Sequence, residues 1–288
     1  MRPNDWHLTD DLDGFLARAG DFLRSRPALH TTPLTALEKL RARGADASVF
    51  FGVLEPEGQV SAVCYRLATH RLTLTPCSDE HADALAAHLA GLGTRLVGVT
   101  ADHDTATAFA EAWQRHAGAT PASFWGARLY RLGTLTPPEP VPAGQGRVAG
   151  AQDHEQVVRW CGEFAAAVGE AAAMDARAWA DSRFADKHYT FWELPDGTAV
   201  SMAGSTSMVG GMIRVDPVYT PARLRGRGYA GAVTAAVSGA ALAAGATDVV
   251  LFADPANATS NALYQRIGYV PMCDFTGYAF SSDTPAAR

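Results

Sequence analysis

Short apolar runs alternate with longer stretches of helical composition, and the same order occurs twice along the chain. In the C-terminal half, Arg147 to Ala149 reads as a short first strand. Asp153 is placed to cap a helix running to about Val168, with Trp160 and Phe164 four residues apart on its apolar face. Asp175 is placed to cap a second, short helix containing Trp179. Tyr189 to Leu194 and Ala199 to Ser205 flank Pro195-Asp196-Gly197, which predicts a hairpin. Met212 to Tyr219 is the next predicted strand, followed by a glycine loop and an alanine-rich helix from Tyr229 to Ala244. A strand over Asp248 to Phe252, a helix around Ser260 to Arg266 and a strand over Tyr269 to Phe280 complete this half.

The N-terminal half follows the same order. Val49 to Leu54 and Val60 to Arg66 flank Pro56-Glu57-Gly58, and Arg71 to Thr75 is a third strand. Ser78 caps a predicted helix through Leu92; Leu96 to Thr100 is a strand; Asp104 starts a helix through about His116; Phe124 to Leu132 closes the unit. Between the halves, Thr134 to Gly146 is dense in proline and glycine and lacks apolar periodicity, as a linker does. The prediction is an α/β protein of two domains.

Composition narrows the class. A chain of 288 residues, 48% hydrophobic and 19% charged, can bury two full cores. A formal charge of −6 gives no global attraction for nucleic acid. No apolar run is long enough for a transmembrane helix, and Met1 to His7 is polar and lacks a signal-peptide core, so no membrane role and a cytoplasmic location are expected. Cys64, Cys77, Cys161 and Cys273 are scattered without Cys-x-x-Cys pairs, which fits reduced thiols and argues against zinc.

The candidate chemistry sits at residues 218 to 231, Val-Tyr-Thr-Pro-Ala-Arg-Leu-Arg-Gly-Arg-Gly-Tyr-Ala-Gly. A strand, a loop with Gly226 and Gly228, and a helix start are the parts that hold a diphosphate. Glycines permit positive φ and close backbone approach, and the first-turn N–H groups of the helix face the anion. Arg223, Arg225 and Arg227 add fixed positive charge. A P-loop would end in Gly-Lys-Ser/Thr, which is absent. The dinucleotide fingerprint finds its third glycine in Gly231, but the acid it needs, Asp248, opens the next apolar run instead of closing it.

The order Arg223-x-x-Gly226-x-Gly228, helix, strand, Asn257, Ser260, Tyr264, Gly268-Tyr269 resembles the GNAT superfamily of acyl-CoA-dependent N-acetyltransferases. It matches that family's Arg/Gln-x-x-Gly-x-Gly/Ala motif and its later Asn … Tyr-x-x-x-Gly-Phe motif, most strongly over residues 198 to 280 and extending back to about 146. The resemblance implies two GNAT-like domains, each a mixed, mostly antiparallel central sheet flanked by helices. Residues 1–135 would be a degenerate copy, 136–146 the linker and 147–288 the transferase domain; an unrelated α/β domain is the alternative for the first. The first copy's loop, Thr75-Pro-Cys-Ser-Asp-Glu80, has no glycine or arginine and carries two acids, so it should repel a diphosphate.

The resemblance further implies acetyl-CoA as cosubstrate, no metal, and a primary amine on a small molecule or peptide as acceptor, in a monomer or homodimer. Val218, Tyr219 and Thr220 would lie along the pantetheine arm, and Arg225, Gly226, Arg227, Gly228, Tyr229 and Ala230 around the diphosphate, with Arg223 and Gly231 flanking them. Asn257 would contact the arm, and Tyr264 would act as general acid to the thiolate. On the residues alone, Tyr264 reads equally as a core tyrosine beside Leu263 and Ile267, and Asn257 as a helix cap; Ser260 and Asn261 are further cap candidates. For a general base, Glu193 and Asp254 are candidates, as are Asp216, His188 and Glu170, and the resemblance equally implies deprotonation through water with no single base. Asp216-Pro217 predicts a bulge in its strand, because proline cannot donate to a ladder. Trp113, Phe124 and Trp125 are candidates for shaping an amine pocket. Two other readings remain open: a non-catalytic acyl-CoA sensor and a nicotinamide-dependent oxidoreductase.

Overall fold

The computed structural model describes residues 5–43, 49–67, 70–168 and 187–282. In chain order the first elements are β1 (Trp6–Thr9), α1 (Leu12–Ser25), α2 (Thr31–Arg43), β2 (Phe50–Leu54), β3 (Ala62–Arg66) and β4 (Leu72–Leu74). Next come α3 (Asp79–Gly91), β5 (Gly98–Asp102), α4 (His103–Ala117) and β6 (Ala119–Leu132). Then follow β7 (Gln145–Val148), α5 (His154–Ala167), β8 (Lys187–Glu193), β9 (Ala199–Thr206) and β10 (Met212–Tyr219). The chain ends with α6 (Tyr229–Ala243), β11 (Asp248–Ala253), α7 (Ala258–Arg266) and β12 (Tyr269–Ser282). The helix expected after Asp175, with Trp179, lies outside the described residues.

These elements form two compact units. One comprises Met1–Leu129 with Met272–Arg288, the other Tyr130–Pro271. In the first, β1, β2, β3 and β4 pair antiparallel in sequence; β4 then pairs parallel with β5, and β5 antiparallel with β12. In the second, β7, β8, β9 and β10 pair antiparallel, and β10 pairs parallel with β11. Each unit therefore has an antiparallel run ending in one parallel pair, with a helix crossing over between the parallel strands. That crossover is α3 in the first unit and α6 in the second.

The repeated order anticipated from the apolar runs is present, but the sequence pattern left out the first elements. Residues 6–43 carry β1 and two helices. The signal for α1 was local: Asp11 caps it through the Asp13 N–H, and Phe15, Ala19 and Leu23 form a buried stripe, Phe15 stacking on Phe51 at 4.9 Å. Ser78 caps α3 as expected, whereas α4 is capped by Asp102 and not opened by Asp104.

In the first unit, Leu85 and Leu89 of α3 and Phe109 and Trp113 of α4 share a core with Leu72, Leu74 and Val99. In the second, two cores lie on opposite faces of the sheet. Val233, Val237 and Ala241 of α6 pack with Val249, Leu251 and Tyr264, while Val157, Trp160 and Cys161 of α5 pack with Phe191, Met202 and Tyr219. Helix α6 is buried over most of its first three turns because its residues are small. Gly231, Ala232 and Ala235 allow close approach at little side-chain entropy cost.

Asp153, expected as the cap of α5, makes no capping bond. Its carboxylate instead accepts from Arg147 at 2.8 and 3.0 Å and from the Gly150 N–H at 2.8 Å. The ion pair wins because Arg147 offers charge-assisted bonds that a helix N–H cannot match. Arg147 holds the Asp153 carboxyl below its ordinary range, and both carboxylates hold Arg147 protonated.

Candidate functional site

Strand β10 fixes the site. It pairs with β11 at Met212↔Asp248, Ile213↔Val249 and Arg214↔Val250. Beyond Arg214 the pairing stops, although β10 runs on to Tyr219 and β11 to Ala253. On the other side, β10 meets β9 at Val215↔Ser205 and again at Val218↔Ala203, with a register shift between them. The shift falls on Asp216-Pro217, the dipeptide that predicted a bulge. Proline has no N–H to give the ladder, so a bulge is where it fits.

Two contacts hold the bulge. The Lys187 ammonium, almost fully buried, donates to the Asp216 carbonyl at 2.8 Å and pairs with the Asp216 carboxylate. Gly204 gives the bulge room: a Cβ there would lie 2.7 Å from the Asp216 carbonyl oxygen and 3.0 Å from Pro217 Cδ. The result is a gap between β10 and β11, beginning after Arg214.

The gap runs into the glycine loop. The buried Thr220 hydroxyl shares a hydrogen bond with Ser201 at 2.8 Å, and Arg225 Nε donates back to the Thr220 carbonyl at 3.0 Å. Arg225 therefore shapes the loop, while Arg223 and Arg227 extend exposed beside it. Gly226 and Gly228 have φ of 75° and 82°, values only glycine adopts without strain. Gly228 is the N-cap residue of α6 and offers no side chain, so the first-turn N–H groups have no capping partner from it. Beyond the Gly226 Cα there is open space, and Gly228 has only Pro142 near it, at 3.7 Å. Tyr229 and Ala230 are half-buried in the first turn. Gly231 is buried against Pro138, Leu263 and Ile267 and so sets helix packing. This is a helix N-terminus cleared for an anion.

On the far side of the gap is α7. Asn257 is its N-cap, its side chain accepting from the Ser260 N–H at 3.1 Å. The cap is thus Asn257, and not Ser260 or Asn261. Asn261 is buried and organises the preceding loop: its amide donates to the carbonyls of Asp254 and Asn257, both at 2.8 Å, and its oxygen accepts from Tyr130 at 2.7 Å. The Tyr130–Asn261 contact was missed in the sequence, because nothing local links residues so far apart.

Tyr264 lies between Tyr130 and Tyr269, with ring centroids 6.4 and 6.1 Å away. Burial, reinforced by Tyr269 and Asp216, pushes its phenol well above the ordinary tyrosine range. It is therefore a buried, protonated hydroxyl close enough to the bulge to sense the Asp216 carboxylate. Its ring is part of the core, as the reading from its neighbours Leu263 and Ile267 expects.

The carboxylates sort by their partners. Glu193 stands at the β7–β8 edge, where it is ion-paired with Arg147. Asp216 pairs with Lys187, and Asp254 accepts from the Ala256 N–H at 2.8 Å within its turn. His188 is exposed and lies 3.4 Å from the Ser207 hydroxyl. Glu170 lies outside the described residues. Asp248, which a dinucleotide site would need at a strand end, opens β11 and is ion-paired with Arg131. Among the described residues no group of histidine, cysteine and acidic side chains is arranged to hold a metal. In the other unit, Trp113 is core, Trp125 is half-buried, and Phe124 is exposed under the Arg71 guanidinium at 3.8 Å.

Comparison with known proteins places this arrangement. Residues 204–275 match the family described as FR47-like protein, and no curated protein matches the chain. Solved structures match nearly its whole length. A GCN5-related N-acetyltransferase from Sphaerobacter thermophilus is 18% identical with a TM-score of 0.58, covering 96% of each chain. A tandem GNAT protein from the clavulanic acid biosynthesis pathway, solved without AcCoA, is 15% identical with a TM-score of 0.61, covering 98% of this chain and 99% of its own. A GNAT-family acetyltransferase from Colwellia psychrerythraea is 11% identical with a TM-score of 0.57, covering 96% and 99%. The chain has the GNAT fold over nearly its whole length, a mixed, mostly antiparallel sheet flanked by helices.

Proposed function

We propose that this chain, with its GNAT fold, transfers an acetyl group from acetyl-CoA to a primary amine by direct attack. The observation that carries the reading is the gap between β10 and β11, which opens at the Asp216-Pro217 bulge and ends on the glycine loop of α6. A pantetheine arm needs unpaired strand backbone, and a diphosphate needs a helix N-terminus with glycine; here one leads into the other. Val218, Tyr219 and Thr220 line the arm, Arg225 to Ala230 hold the diphosphate with Arg223 nearby, and Gly231 lets α6 pack behind them. Asn257 stands at the start of α7, with its amide nitrogen available to the arm. In the reaction, the neutral amine attacks the thioester carbon, the C–S bond breaks, Tyr264 gives its proton to the departing thiolate, and the proton shed by the nitrogen passes through water and restores the phenol. A phenol that burial keeps protonated suits that role better than one that ionises near neutrality. Glu193, locked by Arg147, has no place in this scheme.

The test is calorimetric titration with acetyl-CoA. Wild type should bind, and Gly228→Trp, which fills the space before α6, should remain folded and lose binding. Absence of wild-type binding would overturn the reading.

A further inference from the structure

The proline-rich stretch before β7 is bound along α6, within the second unit. Hydrogen bonds fix its ends. The Gly133 and Thr136 N–H groups donate to the Gly268 and Ile267 carbonyls at 2.9 and 3.0 Å, and Trp192 Nε1 donates to the Ala143 carbonyl at 3.0 Å. Between these anchors, residues 137–142 read Pro-Pro-Glu-Pro-Val-Pro. Proline fixes φ and has no N–H to leave unpaired, so this segment holds an extended course without a ladder partner.

Glycines on α6 let the strap lie close. A Cβ would stand 3.5 Å from Leu135 if built on Gly239, 3.4 Å from Pro138 on Gly231, and 3.7 Å from Pro142 on Gly228. The strap therefore follows α6 backwards from its third turn to its N-cap, about 16 Å at the helical rise. It arrives beside the glycine loop, where the first-turn N–H groups have no side-chain cap. At that point its exposure changes. Pro138 and Pro142 are half-buried, while Val141 is 59% exposed. The result is a piece of apolar surface, rigidly placed next to an anion site.

The chemistry of the donor says what such a surface can take. A diphosphate on the loop carries the pantetheine arm at one end, and the gap between β10 and β11 receives it. At its other end it carries a nucleoside, whose flat base has an apolar face. Such faces rest on apolar and aromatic side chains without needing hydrogen-bond readout.

We infer that Val141, held in place by Pro142 against Gly228, is the surface on which the adenine ring of the acyl donor rests. The inference rests on the acetyltransfer reading above. Because the strap is already ordered along α6, it gives this contact without the cost of ordering a loop on binding.

The test is calorimetry on the full chain with acetyl-CoA, for wild type, Val141→Ser and Val141→Phe. Val141→Ser should weaken acetyl-CoA binding about three-fold or more. Val141→Phe, which offers a ring to stack on, should bind at least as tightly as wild type. Acetyl-phosphopantetheine, which lacks the nucleoside, should have the same affinity for all three proteins, measured by competition with acetyl-CoA; a folding defect or a damaged diphosphate loop would not spare it. Acetyl-CoA affinity unchanged in Val141→Ser, or lowered as much by Val141→Phe, or affinity for both donors falling by one factor, would overturn the inference. A wild type that fails to bind acetyl-CoA would instead overturn the reading on which it rests.

Discussion

The two units place a parallel strand pair at the same point in their sheets and treat it in opposite ways. In the second unit, β10 leaves β11 after Arg214, and the gap faces a glycine loop flanked by arginines. In the first, β4 and β5 pair at Leu72↔Val99 and Thr73↔Thr100, and the ends beyond are stitched together. The Thr105 hydroxyl accepts from the Cys77 N–H at 3.2 Å and lies 3.1 Å from the Asp102 carboxylate it donates to. Asp102 is half-buried, one of its oxygens has no partner among the described residues, and burial pushes its carboxyl up. With Asp79 and Glu80 in the first turn of α3, this end of the sheet presents acid where the other presents arginine and open N–H groups. The same sheet order thus carries ends of opposite charge, so a site has to be argued from the bulge and the loop and not from the fold.

The sharpest way to break the comparison is to count binding sites. Titration with acetyl-CoA should give one site per chain, and Gly228→Trp should abolish it; two sites would mean that the stitched unit binds as well. Next in size is Tyr264→Phe, which should lower kcat by about 10²-fold while leaving acetyl-CoA affinity intact. An unchanged kcat would leave the tyrosine as core alone. Gly204→Ala presses a methyl group on the Asp216 carbonyl and should destabilise by about 1–3 kcal/mol in denaturant unfolding, with weaker acetyl-CoA binding as the bulge shifts. Thr105→Val in the first unit should cost about 1–2 kcal/mol and leave acetyl-CoA binding untouched.

The smallest effect is of pH. His30, buried in the first unit, has its pKa lowered by burial, so the unfolded chain binds its proton more readily. Its contribution is intact above the ordinary histidine value of 6.5, and stability falls as pH drops below that value towards the folded one. His30→Gln should flatten this part of a stability–pH curve.

Much of the site was legible because it is local. The glycine loop, the alanine-rich helix, the bulge at Asp216-Pro217 and the spacing to Tyr264 all lie within one stretch of chain. Positive φ, helix composition and proline's missing donor are properties of neighbouring residues. The partners of the charged groups were not legible. Glu193 looked available beside the site, but Arg147, 46 positions away, takes it. Nothing local to Glu163 signals that the Tyr219 hydroxyl, 56 positions away, donates to it.

The sequence by itself determined the order of strands and helices from Phe50 onward, apart from the stretch outside the described residues, and the positions of the glycine loop and of its acidic counterpart. Backbone conformation and charge at those points depend only on adjacent residues. The tertiary structure decided which carboxylates are neutralised, that Tyr130 holds Asn261 at the start of α7, and that the last strand from Met272 onward belongs to the first unit, pairing with β5. Those outcomes depend on contacts between residues far apart in the chain, where burial and charge are settled only once the sheets have formed.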